Sequence, residues 1–369
     1  MLEPCLYSKQ HNGQLVLISI YVDDILVLSA DIDYVKEVKS LFTQRFDMTD
    51  MGELQHFLNI HVTRDDEGIH LDQKAYLESV LDKFEYLLGK KYKTRKYPLP
   101  DDVTDRLAPD TLDTEPLTEE KRKYINNFPY RSIIGALLYL ALHTRPDISY
   151  AVGVLSRFGT NPSYAACEMC VYLLQYLRGT VGLGITLSGS SLDLHIYTDA
   201  DWAGDVLTRR STTGFVVFAA GGPIAWQSKL QTTVSTSSMQ SEYQAMYAGM
   251  QEIVWLRGVL GEIGITQCEP TPFFLDSQSA EDLAMNPVYH KRSKHVEIKY
   301  HFTREHVDPE GKNTAELIHV STLEMAADIY TKALTGSLFE KHAETNLGKR
   351  KSSSQSARDK APKSKRSRR

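Results

Sequence analysis

No apolar run in the 369 residues approaches the roughly 20 needed to span a bilayer, and the first residues lack the basic-then-apolar pattern of a secretory leader. A location inside the cell is therefore expected, with no membrane partner. Cysteine is scarce as well: four in a chain of this length cannot form a disulfide scaffold. Only Cys167 and Cys170 make a C-x-x-C pair, and no second Cys or His pair is placed to complete a zinc site. Both are expected as small buried residues of a helix, which disfavours a zinc-dependent binding module. An overall positive field is also missing. The net charge is −5, yet residues 349–369 hold ten Lys or Arg against one acid, Asp359, which leaves −14 on the rest. A body of that sign does not hold nucleic acid by its mean field, so any such binding must come from local patches.

What is present is ordinary globular composition, 42% hydrophobic and 24% charged, with length for about two or three domains. Residues 15–22 are apolar, meet Asp23-Asp24 and resume as an apolar run over 25–28, a hairpin pattern with two carboxylates at its tip. Helical spacing follows over 33–46, short strands are expected at 57–62 and 69–71, and a helix from 73 to about 88. Pro98, Pro100, Pro109 and Pro116 then lie among many acids, which predicts a solvated linker over 98–123. Three apolar-faced helices are expected over 133–142, 148–158 and 164–177, with Thr144-Arg-Pro-Asp147 supplying a helix start. From Leu194 the period changes to that of strands: 194–198, 214–219 and 223–228, a meander closed by a Gly221-Gly222 turn. A long helix over 237–260, a strand at 273–275, a brief helix from Ser279, a basic and histidine-rich stretch, a strand at 317–320 and a closing helix from about Glu324 complete the chain.

Four carboxylates fall at element ends in this second half. Asp199 is on its first strand, Glu242 in the first turn of the long helix, Asp276 at the end of the fourth strand and Asp328 near the start of the last helix. Taken singly, each reads as a solvated acid, as many of the 47 acids must be. Together they have the chemistry to hold two divalent metals, one activating a water and one stabilising a leaving oxygen. Magnesium suits such oxygen ligands because it keeps several of its waters. Asp201 is expected on the same strand face as Asp199 and competes with it for the first position.

The local words narrow the reading. Tyr197-Thr-Asp-Ala-Asp-Trp-Ala-Gly204, Arg209-Arg-Ser-Thr-Thr-Gly214, Ser235-Thr-Ser-Ser-Met-Gln-Ser-Glu-Tyr243, Leu275-Asp-Ser-Gln-Ser-Ala280, Lys294-His-Val-Glu-Ile-Lys-Tyr-His301 and Met325-Ala-Ala-Asp-Ile-Tyr-Thr-Lys332 follow in that order. They resemble the ribonuclease H of Ty1/copia-type retrotransposon Pol polyproteins. The resemblance implies an α/β (α+β) chain with a ribonuclease H-like mixed five-stranded sheet. It also implies Asp199, rather than Asp201, with Glu242, Asp276 and Asp328 as catalytic metal ligands for two magnesium ions, manganese substituting. The implied partner is an RNA–DNA hybrid. Gln240 stands where a second acid is usual, and Thr208 where an acid often precedes the arginine pair. Arg209, Arg210, Lys291, Arg292, Lys294 and His295 offer contacts to nucleic-acid phosphates, and the histidines nearby offer imidazoles of near-neutral pKa. Which histidine assists stays open; His319 precedes Asp328 at a suitable separation but also fits an edge strand.

The first half resembles the same family. Tyr21-Val-Asp-Asp-Ile-Leu-Val-Leu28 is similar to a reverse transcriptase palm hairpin, and Asp50-Met-Gly-Glu-Leu-Gln-His-Phe-Leu-Asn-Ile60, Gln73-Lys-Ala-Tyr76, Gly135-Ala-Leu-Leu-Tyr-Leu140 and Thr144-Arg-Pro-Asp-Ile148 agree with it. Asn59 replaces a usual glycine and Ala166-Cys167 a usual His-Trp pair, all taken as packing positions. Polymerase chemistry needs a further palm aspartate and the fingers, which are not recognised here, so Asp23 and Asp24 are read as the remnant of a reverse transcriptase site. The expected organisation is a truncated palm and thumb over 1–97, the linker over 98–123, a helical connection over 124–191, ribonuclease H over 192–335 and a basic tail over 336–369. The expected function is metal-dependent cleavage of RNA in RNA–DNA hybrids, by the C-terminal part of a polyprotein whose other parts are partners; the alternative is a catalytically silent nucleic-acid-binding relic.

The tail, 349–369, has no apolar periodicity, and basic clusters at 349–351 and 363–369 flank a polar spacer. This fits a nuclear import signal or a salt-sensitive nucleic-acid tether. Fused to a fluorescent cargo too large to diffuse through nuclear pores, residues 349–369 are expected to bring it into the nucleus; exclusion of the cargo removes the import reading and leaves the tether.

Overall fold

The structure is a computed structural model and describes residues 2–89, 93–108, 117–285 and 294–348, with the backbone alone at 294–298. Strands β1 (Leu6–His11), β2 (Gln14–Tyr21) and β3 (Asp24–Ser29) form an antiparallel meander. The apolar run with its acidic break is thus a hairpin that turns at Val22-Asp23 and sets Asp24 opposite Tyr21. β1 precedes the elements expected from the sequence, although Asn12-Gly13, with φ of 49° and 77°, is the residue pair that suits such a two-residue turn. Helix α1 (Ile32–Arg45) follows, capped by the Asp31 side chain, which accepts from the Tyr34 amide at 3.0 Å.

The expected strand over 57–62 is instead a hairpin, β4 (His56–Phe57) and β5 (Ile60–Asp65), turning at Leu58 and Asn59 with φ of 50° and 56°. Asn59 is therefore a turn residue and not a packing position; Asn tolerates left-handed backbone where most residues do not. β6 (Gly68–Asp72) pairs with β5 and also with β7 (Ile185–Leu187), so one four-stranded sheet joins segments more than a hundred residues apart. The helix expected over 73–88 breaks at Phe84 into α2 (Lys74–Lys83) and α3 (Glu85–Leu88).

The linker reading is contradicted over 98–108. Leu99, Val103 and Leu107 are 1%, 1% and 2% exposed, Val103 on the short helix α4 (Val103–Arg106). Leu99 in the bend before that helix, Val103 on it and Leu107 at its C-cap form one apolar stripe that the surrounding acids and prolines conceal from a composition-based reading. That stripe joins a core with α6 (Tyr130–His143), α7 (Ser149–Ser156) and α8 (Tyr164–Gly179), after α5 (Glu119–Asn127) has begun inside the supposed linker. Cys167 and Cys170 are buried on α8, and burial pushes the Cys167 thiol up to about 12. Thr144-Arg-Pro-Asp147 enters a single 3-10 turn (Pro146–Ile148) rather than starting a helix directly. Its Arg145 is 1% exposed and forks onto Asp147, Nε to Oδ1 at 2.8 Å and Nη2 to Oδ2 at 2.7 Å; Tyr176 donates to the same Oδ2 at 2.6 Å. Nη1 donates to the Thr180 carbonyl at 3.1 Å and Nη2 also to the Thr180 hydroxyl at 2.9 Å, so the buried charge pair is hydrogen-bonded beyond its own fork.

The C-terminal sheet is the mixed five-stranded one expected. β8 (His195–Asp201), β9 (Thr212–Ala219) and β10 (Gly222–Leu230) are antiparallel, and β11 (Thr271–Leu275) runs parallel to β8 and to β12 (Ala315–His319), in the order β10-β9-β8-β11-β12. β9 is buried along its whole length because alternate side chains feed two cores. Phe215 and Val217 meet α9 (Ser238–Glu262), whereas Val216 and Phe218 enter the helical core of α6 to α8. Two glycines permit the closest approaches: a Cβ on Gly249 of α9 would lie 2.6 Å from the Thr198 methyl, and one on Gly214 of β9 would lie 2.6 Å from that of Thr331. After α10 (Gln278–Met285) the basic stretch yields an unanticipated helix, α11 (Lys294–Val307), seated by buried Thr303 and Val307. The closing helix expected from Glu324 is replaced by a 3-10 turn (Ala326–Tyr330), and α12 (Gly336–Leu347) comes later.

Replacing Leu99 by Ala is expected to lower unfolding free energy by about 2–4 kcal/mol in denaturant titrations, the usual cost of emptying a buried leucine site. A solvated linker residue would change it by less than about 0.5 kcal/mol.

Candidate metal centre

β8 carries Asp199 to a position 1% exposed just before the strand ends. At the start of α9 the Ser237 hydroxyl accepts from the Gln240 amide at 3.2 Å, and Gln240 Oε1 accepts from the Thr236 amide at 2.8 Å. Gln240, where the family pattern has an acid, thus serves the helix cap. Glu242 follows in the second turn, not the first, half-buried and aimed at the Ala200 backbone. Asp276 succeeds the last residue of β11 and accepts from the Thr322 hydroxyl at 2.8 Å. One carboxylate oxygen from each of Asp199, Glu242 and Asp276 lies within 4.8 Å of the other two.

Asp328 arrives from the 3-10 turn, where its carbonyl takes three donors, the amides of Thr331 at 3.1 Å and Lys332 at 3.0 Å and the Thr331 hydroxyl at 3.2 Å. It joins the others through a cation. Lys332 Nζ donates to Asp328 Oδ1 at 2.8 Å and lies 3.3 Å from Asp199 Oδ2, which also accepts from the Thr331 hydroxyl. Asp328 is therefore adjacent to the three-carboxylate group but not in it, and Asp201 is outside it as well. Sequence reasoning missed Thr322, Thr331 and Lys332 as partners of these acids. For Lys332 the signal was available, since it stands four residues after Asp328 in the motif itself.

The family model for reverse transcriptase (RNA-dependent DNA polymerase) matches residues 1–96. The Pol polyprotein from transposon TNT 1-94 of Nicotiana tabacum is 37% identical over 343 residues, 92% of this chain, and that from transposon RE1 of Arabidopsis thaliana is 37% identical over 339 residues, also 92%. The chain belongs to the copia-type retrotransposon Pol polyprotein family. It spans 25% and 22% of those two polyproteins. A solved structure of the compost-derived LC11 ribonuclease H1 is 18% identical, with 38% of this chain and 93% of that one covered at a TM-score of 0.29.

The other candidate residues of this Pol-family chain are more scattered. Arg209 is exposed with φ of 55° and Arg210 half-buried, in the turn between β8 and β9. That turn is held by Asp205, which accepts from the Thr208 amide at 2.7 Å and hydroxyl at 2.6 Å and from Arg157 at 2.7 Å. Thr208, the other departure from the family pattern, is thus a turn residue. Lys291 and Arg292 lie outside the described residues, as does the tail from Lys349; Lys294 and His295 are placed on α11 by backbone alone. His319 is exposed at the end of the edge strand β12, in register with Leu275, one residue before Asp276. Asp23 and Asp24 are exposed on the separate N-terminal meander and do not enter the carboxylate group.

Burial, with the crowding of these acids second, sets their protonation. Burial, then Asp199 and Asp276, push Glu242 up to about 9, and burial with Asp199 pushes Asp328 up to about 7. Burial pushes Asp201 up to about 6, against the pull of Lys332. Lys332 itself is lowered by burial, but Asp199 and Asp328 outweigh this and hold its ammonium above its ordinary value. A carboxyl with a raised folded pKa binds more protons folded than unfolded, so its contribution is present at low pH and lost as pH rises through the folded value. In EDTA, wild-type melting temperature relative to Glu242→Gln is expected to fall between pH 5 and 9; a difference that stays flat or rises over that window contradicts the assignment.

Proposed function

We propose that the region 192–335 is a metal-dependent ribonuclease H that cuts the RNA strand of RNA–DNA hybrids during the copying of a retrotransposon RNA. The observation that carries this is the convergence of Asp199, Glu242 and Asp276 within 4.8 Å, with Asp328 beside them. Their donor set suits a hard cation: the ligating atoms are all carboxylate oxygens, and burial first, with the neighbouring acids second, pushes Glu242 and Asp328 up, a cost that a bound cation would offset. Asp199, Glu242, Asp276 and Asp328 would hold magnesium, or manganese in its place. When bound, the metal supplies the charge that activates a water and stabilises the leaving oxygen.

The chain's own groups do the positioning. Thr322 and Thr331 orient Asp276 and Asp199 by donating hydroxyl protons to them. Arg209 and Arg210, on a turn braced by Asp205 and Arg157, offer phosphate contacts at the end of the strand that carries Asp199. Asp23 and Asp24 belong, in this reading, to a reverse transcriptase palm, and RNA-directed DNA synthesis is assigned to the longer polyprotein alone. Other parts of that polyprotein are the proposed protein partners, and the basic tail is the proposed import signal or tether.

With the full chain, magnesium and a labelled hybrid, Asp199→Asn and Asp276→Asn are each expected to lower RNA-strand cleavage by at least about a hundredfold, because each removes a charged ligand at constant shape. Cleavage by both variants at the wild-type rate, in a preparation free of host nuclease, sinks the assignment; a wild type that binds hybrid and never cuts it establishes the silent relic instead.

A further inference from the structure

The acids proposed as metal ligands already hold a cation that belongs to the chain. Lys332 Nζ is 2.8 Å from Asp328 Oδ1 and 3.3 Å from Asp199 Oδ2, and its side chain is 36% exposed against 2% for each carboxylate. The lysine thus reaches two buried acids from the solvent side, with its stem along the way out. Its backbone is on the turn that carries Asp328, four residues on, so the ammonium is tethered to one of the acids it neutralises. The Thr331 hydroxyl shares Asp199 Oδ2 with it, so that oxygen carries two donors.

We propose that Lys332 is a built-in counter-ion that a divalent metal displaces. Without metal, its single positive charge lies between Asp199 and Asp328 and keeps the two buried carboxylates from driving the turn and β8 apart. A metal held by the same two acids meets both occupied oxygens and a like charge within bonding distance of them. Entry therefore requires the ammonium to withdraw along its exposed stem, and the affinity measured for metal is lowered by the work of that withdrawal. Lys332 is in this sense a positioning residue: it holds the carboxylates ready while weakening the grip on the ion. This rests on the metal reading of the site and deepens it.

Manganese binding to the full chain, followed by the electron paramagnetic resonance of free Mn2+ and by calorimetry, tests it without reference to activity. Lys332→Met is expected to bind Mn2+ at least about tenfold more tightly than wild type. It is also expected to melt at a lower temperature in EDTA and to gain more than wild type on adding Mn2+. Lys332→Arg, which keeps the charge, is expected to bind close to the wild-type affinity. Lys332→Gln keeps polar contacts without the charge and takes the place of the Met variant should that chain not fold. Equal or weaker binding by the neutral variant overturns the counter-ion role while leaving the metal site standing. Failure of wild type, Lys332→Met and Asp276→Asn alike to bind Mn2+ removes the metal reading, and this inference with it.

Discussion

Like charges held together out of water are the constraint around which the C-terminal half is arranged. Asp199 and Asp328 are almost fully buried, Glu242 and Asp276 half so, and three of the four bring oxygens within 4.8 Å. Repulsion at that range in a partly desolvated site would spread the elements that carry them unless each were pinned from behind. The pins are identifiable. α9 is held against β8 because Gly249 has no side chain to strike Thr198 and Ile196; the 3-10 turn is held against β9 because Gly214 has none to strike Thr331 and Tyr330. Ala at either glycine puts a methyl in contact with atoms under 3 Å away and pushes a carboxylate out of register with the other three.

The second support comes from outside the sheet. The buried Arg145–Asp147–Tyr176 network fixes the junction between α6, α7 and α8, and the 3-10 turn bearing Asp328 packs on that junction and on α7. Tyr330 and Ile329, neighbours of Asp328, are 0% and 2% exposed in the same helical core. Position of the fourth acid thus depends on residues nearly two hundred positions earlier. Arg157 works in the same direction at the other end of α7, where it ties the arginine-bearing turn through Asp205.

How far the sequence showed this varies with the range of the interaction. The five strands and the long helix were readable because period-2 and period-3.6 patterns are local, and the four acids because they end such patterns. The buried stripe Leu99, Val103 and Leu107 was not, since three apolar residues diluted by acids and prolines look solvated until the helices that cover them are in place. Asn59 was misassigned for a related reason: a replaced glycine says that something is special about the backbone, and only the φ of 56° says it is a turn. The Lys332 contact with Asp328 is local and was open to reading. Its contact with Asp199, 133 residues earlier, exists only because Gly214 lets the turn descend onto the sheet.

The same long-range packing bears on where the nuclease part begins. Boundaries drawn at 191/192 follow the change from helical to strand periodicity, yet the apolar cores divide elsewhere. Val216 and Phe218 of β9, with Met325, Tyr330 and Phe339, are buried against α2, α6, α7 and α8, while the opposite face of the sheet forms its own core with α9. β7, just ahead of that boundary, is hydrogen-bonded to β6 in the four-stranded sheet. Severing the chain near 192 would expose one entire face of the strand that lies opposite Asp199 and release the turn that carries Asp328. The five-stranded sheet is thus the seat of the carboxylates, but the helices before it are half of the core that keeps them together.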